Sequence, residues 1–157
     1  MNKLLLANAK SFKKAGLRCL EERDIDENNY EMLMFSVVVN LSFSLELFFK
    51  YVLSKQGKTI RKHELRILYD KLKNETKFQI LTSYFIKTPF KNISQSETPF
   101  EKFKAWFDEK LDFHSNTFVK WRYGHETIHN EIMECDYGFL LTMIDMLEDL
   151  SNRLTNS

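Results

Sequence analysis

Residues 30–55, YEMLMFSVVVNLSFSLELFFKYVLSK, restrict the folds open to this chain more than any other stretch. Wound at 3.6 residues per turn, Leu33, Val37, Leu41, Leu45, Phe48 and Val52 fall on one continuous stripe. Met32, Phe35, Val39, Phe43 and Leu47 carry apolar groups to other sides. A helix that is apolar on most faces has to be wrapped by other elements. Ser42, Glu46 and Lys50 recur every fourth residue and share one narrow line, with Glu46 and Lys50 in the favourable order for an i,i+4 pair. These two charges interrupt the apolar run, so no window is expected to span a bilayer. Gly57 is expected to stop the helix.

The rest of the chain supplies the wrapping. Four Gly and two Pro in 157 residues are too few for the many turns of a sandwich or barrel. Helical spacing predicts a helix over 4–20, with Leu5, Ala9, Phe12 and Gly16 on one face, and a shorter one over 59–72. Another is predicted over 75–87 on Phe78, Leu81 and Phe85, with Ile80 and Tyr84 as further apolar positions. Residues 88–98 read as a loop. Thr98-Pro99-Phe100-Glu101 then matches a capping box that opens a helix carrying Phe103, Trp106, Phe107 and Leu111. A short helix with Phe118 and Trp121 inward, closed by Gly124, and a last helix from about Glu131 complete the pattern. The expected fold is all-α: one bundle of four to six helices over residues 1–157.

The net charge of +1 gives no global preference for nucleic acid or membrane. Its distribution is uneven. From Lys50 to Lys77 nine cations face only Glu64, Asp70 and Glu75, whereas from Tyr123 onward seven acids face Arg153 alone. The two runs either pair with each other, meet solvent, or mark an anion-binding face. Cys19 and Cys135 stand apart, without the spacing of a disulfide pair or a metal site, and read as thiols of a reducing compartment. Leu4-Leu5-Leu6 is too short for a signal-peptide core, so the expected location is the cytoplasm. No His, Cys or acidic spacing suggests a metal, and no Gly-rich loop suggests a nucleotide cofactor.

The chemistry concentrates in WRYGHETIH, residues 121–129. Arg122 offers a planar, permanently charged fork that matches phosphate oxygens. His129, six intervening residues on, titrates near neutrality and can pass a proton to or from a ribose oxygen. Together they can cleave RNA without a metal, His129 moving protons and Arg122 holding charge on phosphorus. Tyr123 and Trp121 are candidates to stack on a base. His125 is the substitute if Gly124 re-aims the loop. The competing reading makes Arg122 a structural partner of Glu46 or Glu126. His63, beside Glu64, is expected to cap or pack near the basic segment, and His114 has no partner nearby in sequence.

These segments resemble those of HEPN-domain proteins, an all-helical superfamily common among prokaryotic toxins and defence systems. NLSFSLELFFKYVL (40–53) is similar to the family's second helix, KHELRILYDKL (62–72) to its lysine-histidine-leucine segment, and FVKWRYGHE (118–126) to the region of its Arg-x(4–6)-His motif. The resemblance implies a homodimer whose paired motifs form one metal-independent ribonuclease site. Carried onto this chain, it implies Arg122 as the phosphate contact and His129 as the proton-transfer group, with Glu46, Tyr123, His125 and Glu126 supporting or binding. It also implies an RNA substrate and an antitoxin or defence-system protein as partner. The alternative from a different class is a non-catalytic helical module that binds a nucleotide, RNA or a protein.

Overall fold

The structure is a computed structural model that describes residues 2–22, 33–87, 99–123 and 134–156. Among them every regular element is a helix: α1 (Asn2–Glu21), α2 (Met34–Lys55), α3 (Leu65–Asp70), α4 (Asn74–Lys87), α5 (Pro99–Phe113), α6 (Thr117–Arg122) and α7 (Tyr137–Asn156). Five are long and two, α3 and α6, are six residues each. The all-α bundle predicted from the apolar spacing is what forms.

α2 is the axis. Thirteen of its residues are buried, Val37, Leu41, Leu45, Phe48, Phe49 and Val52 completely. By length and composition α2 is apolar enough to cross a membrane, which corrects the expectation that Glu46 and Lys50 rule this out. Its apolar surface is instead spent inside the bundle, with 72% of the most apolar window buried. α1, α7 and α6 cover it on three sides, and α3 reaches its C-terminal end. α1 comes closest at Gly16, where a side-chain carbon would lie 2.8 Å from Leu41. Ser44 Oγ donates to the Ala9 carbonyl at 2.8 Å, so a buried hydroxyl is satisfied across the same contact. On the far side Leu140, Met143, Ile144 and Leu147 of α7 are buried. Tyr84 of α4 sits among Phe103, Trp106 and Phe107 of α5 and Phe139 of α7, each 5.7–5.8 Å away by ring centroid.

The helix ends explain where the pattern was misread. At the end of α2, Lys58 N–H donates to the Leu53 carbonyl and Gly57 N–H to the Ser54 carbonyl, with Gly57 at φ +76°. This is the double closure a left-handed glycine permits, as Gly57 predicted. The helix expected over 59–72 forms only at 65–70. Residues 58–64 are non-helical, and the first amides of α3, those of Leu65 and Arg66, donate to the Ser115 carbonyl and hydroxyl at 3.0 and 3.2 Å. The cap thus comes from fifty residues away. α7 starts at Tyr137 because Asp136 Oδ1 accepts the Phe139 amide at 3.0 Å, the geometry of an N-cap carboxylate; residues 134–136 are not helical. α4 buries Ile80, Leu81 and Tyr84, while Phe78, expected inside, is 63% exposed. The loop over 88–98, and with it Thr98 of the capping box, lies outside the described residues.

The Gly16 contact carries a stability prediction. Leu41 is fully buried and has no room to retreat, so Gly16→Val should lower the unfolding free energy by roughly 2 kcal/mol through overpacking. Urea denaturation of the two proteins measures it; an unchanged midpoint would mean that α1 slides freely on α2.

Candidate functional site

α6 is too short to hold itself and is fixed by aromatic packing on α2. Trp121 lies 5.0 Å from Phe35 and Phe118 stacks on Phe43 at 4.8 Å, ring centroid to centroid. α6 therefore runs antiparallel to α2. Trp121 is buried, which removes it as a base-stacking platform, whereas Tyr123 is 41% exposed. Arg122 is exposed. Its guanidinium carbon lies 5.8 Å from the centre of the Phe118 ring and 5.3 Å from that of Tyr123. Two aromatic faces orient such a cation without neutralising it. Among the described residues no carboxylate pairs with Arg122.

Glu46, weighed as the partner of Arg122, is engaged elsewhere. Its side chain is fully buried in α2, and Oε1 accepts from Lys50 Nζ at 2.7 Å and lies 2.9 Å from His63 Nδ1. The i,i+4 pairing with Lys50 is as expected; the His63 contact is not. His63 neither caps a helix nor packs passively: it comes from the non-helical stretch 58–64 and closes over the α2 carboxylate. Glu46 Oε2 and Ser42 Oγ, one turn apart on the same line, are buried without a hydrogen-bond partner. Gly124, His125, Glu126 and His129 lie outside the described residues, so Arg122, Tyr123 and Glu46 are the predicted site residues that the structure places.

The charge runs do not pair with each other among the described residues. Asp145, Glu148 and Asp149 of the acidic end meet Lys10, Lys13 and Lys87, and Asp136 meets Lys110. Arg66 of the basic run is consumed by Asp70, Asp108 and Asp112, which tie α3 to α5. Arg61 and Lys62 stay exposed, and neither forms an ion pair within hydrogen-bonding distance. An open groove of about 590 Å³ at the start of α7 is lined by Glu109, Glu134 and Asp136 against Lys110. That excess of acid disfavours a phosphate ligand there.

His114 beside that groove has a structural role. It is fully buried, stacked at 5.4 Å on Phe139, with Nδ1 3.1 Å from Thr117 Oγ1 and Nε2 accepting the Asp136 amide at 3.3 Å. It has two polar partners, contrary to the sequence reading. Burial pushes its pKa down to about 4, against the opposing pull of Asp136. Burial also works against the Asp136 carboxylate, but the Lys110 hydrogen bond, the Phe139 amide and the Lys110 charge outweigh it and hold Asp136 below the usual range. No known family model, curated protein or solved structure matches this chain.

A histidine whose pKa falls on folding contributes stability above its unfolded value near 6.5 that is lost as pH drops toward 4, because the unfolded chain binds the proton first. Between pH 7 and 4.5 the wild type should lose about 2 kcal/mol of unfolding free energy by this route. Asp136 acts only below that window. His114→Gln should begin less stable and show a flatter slope in urea titrations across the same range; an unchanged slope would assign the acid sensitivity to other groups.

Proposed function

We propose that this chain is a metal-independent endoribonuclease of the HEPN type, working in the cytoplasm as a homodimer within a toxin–antitoxin or phage-defence system. The observation that carries the reading is Arg122: an exposed guanidinium, steered by Phe118 and Tyr123 and paired with no described carboxylate. A structural arginine would be buried against an acid, and the acid nominated for that role, Glu46, is held by Lys50 and His63. A free cation beside an exposed tyrosine suits an RNA backbone with a base laid on the ring.

In this mechanism Arg122 donates to the non-bridging oxygens of the scissile phosphate and offsets the charge that grows on them in the transition state. His129 supplies proton transfer. The ribose 2′-oxygen bonds to phosphorus as its proton leaves, the bond to the 5′-oxygen breaks, and that oxygen takes up a proton. The products are a 2′,3′-cyclic phosphate and a 5′-hydroxyl. Two copies of the motif across a dimer would provide both proton donor and acceptor.

A second reading, a non-catalytic binding module, is favoured by the surface around α6, where Phe35, Val119 and Tyr123 are 48%, 41% and 41% exposed. The two readings separate in one assay. Purified protein in excess EDTA should cleave RNA, and Arg122→Ala and His129→Ala should each lower the rate by about 100-fold or more with folding intact. Tight RNA or protein binding without cleavage would select the module.

A further inference from the structure

His63 and Glu46 form a pair whose geometry exceeds what holding a loop requires. The stretch 58–64 is anchored at both ends, by the Gly57 closure of α2 and by the Ser115 cap on α3. Its backbone is therefore held without a side-chain tie to the core. Yet His63 Nδ1 is placed 2.9 Å from the Oε1 of a fully buried carboxylate, while the side chain of His63 is 55% exposed. Lys50 donates to that same oxygen, so Glu46 acts as the acceptor and Nδ1 carries the hydrogen. The other nitrogen, Nε2, then presents a lone pair. A histidine with one nitrogen fixed by a carboxylate and the other free is the arrangement in which imidazole takes up a proton, because the carboxylate stabilises the cation that forms.

The placement of Glu46 is costly. Its Oε2 is buried with no hydrogen-bond partner, a loss of about 1–3 kcal/mol that a packed apolar residue would avoid. The position also faces the candidate site. Phe35, Ser42, Phe43, Glu46 and Lys50 fall on one side of α2 at 100° per residue. Phe43 bears Phe118, over which Arg122 lies, and Glu46 is three residues further along, about 4.5 Å in helix rise. Arg122 and His63 thus stand over adjacent turns of one face, with exposed Arg61 and Lys62 beside them.

We infer that His63 is a proton acceptor of the RNA-cleaving site, positioned by Glu46, acting on the ribose 2′-hydroxyl of the phosphodiester that Arg122 holds; the inference rests on the ribonuclease reading above. The 2′-proton passes to His63 Nε2, the 2′-oxygen bonds to phosphorus, and the bond to the 5′-oxygen breaks. That oxygen takes its proton from His129, leaving the two histidines to exchange a proton through solvent before the next turnover. The charged groups around His63 are Glu46 and Lys50 from α2 and Lys62 and Glu64 from its own segment. Of these only Glu46 binds the ring.

The test is single-turnover RNA cleavage in EDTA from pH 5 to 9 by wild type, His63→Gln, Glu46→Gln and Arg122→Ala. Binding of a 2′-O-methyl oligonucleotide, which cannot be cleaved, and thermal melting are measured beside it. Gln at position 63 keeps a donor for Glu46 but cannot take a proton. His63→Gln should cleave about 100-fold more slowly or worse, bind the oligonucleotide within about threefold of wild type, melt normally, and lose the acid limb of the rate profile. Glu46→Gln should shift that limb while His63 remains. If wild type cleaves and His63→Gln keeps rate and acid limb while Arg122→Ala does not, the inference fails and the ribonuclease reading stands. Loss of activity matched by loss of binding or melting temperature would reduce His63 to a structural role and overturn it. Absence of cleavage by wild type would overturn both.

Discussion

The constraint on which everything depends is that α2 has almost no face that tolerates water. A conventional amphipathic helix needs cover on one side; this one needs it on nearly all. The wrapping by α1, α6 and α7 follows, and so does the close approach at Gly16, since a bulkier residue would hold α1 away and leave Leu41 short of contacts. The aromatic excess has the same origin. Rings such as Tyr84, Phe103, Phe107 and Phe139 fill the wide gaps between helices that meet at differing angles.

Enclosing α2 so fully turns each polar atom on it into an obligation. Ser44 discharges its own by donating to the Ala9 carbonyl. Glu46 cannot do so alone and draws in Lys50 from its own helix and His63 from outside it. The polar line at 42, 46 and 50 is therefore the one seam in the apolar cover. Short elements, not long ones, close over it: the stretch 58–64 and, further along, α6. Such elements are held by few contacts and so are the ones free to carry exposed cations such as Arg61 and Arg122.

Which parts of this were legible in the chain follows from the range of each interaction. α1, α2, α4 and α5 could be read because their signals are local: apolar spacing, Gly57 at a helix end, Pro99 at a helix start. The truncated α3 could not, because its cap is Ser115, and the capping rules look only a few residues upstream. Phe78 was misjudged for a different reason. Spacing alone leaves the rotation of a short helix open, and α4 turns Ile80, Leu81 and Tyr84 inward in its place. At the site, Arg122, Tyr123 and the anomaly of Glu46 were visible as residue types. The partner of Glu46 was not, since His63 sits seventeen positions away across a chain reversal. The clue was an ionisable residue with no neighbour able to satisfy it fully, which demands a partner without naming it.

A buried carboxylate can be retained for stability or for chemistry, and the arrangement here separates the two. Were Glu46 kept to stabilise the bundle, both oxygens would be matched and the partners enclosed, because an ion pair gains most when desolvated together with its hydrogen bonds. Instead one oxygen is unmatched, the other serves two donors, and the histidine among them is more than half in solvent. Exposure screens the attraction and reduces what the contact contributes to folding. What remains undiminished is orientation: the buried acid fixes the ring and leaves its second nitrogen outward. Energy is forgone inside the bundle and geometry is gained at its surface, on the face of α2 where Arg122 is presented.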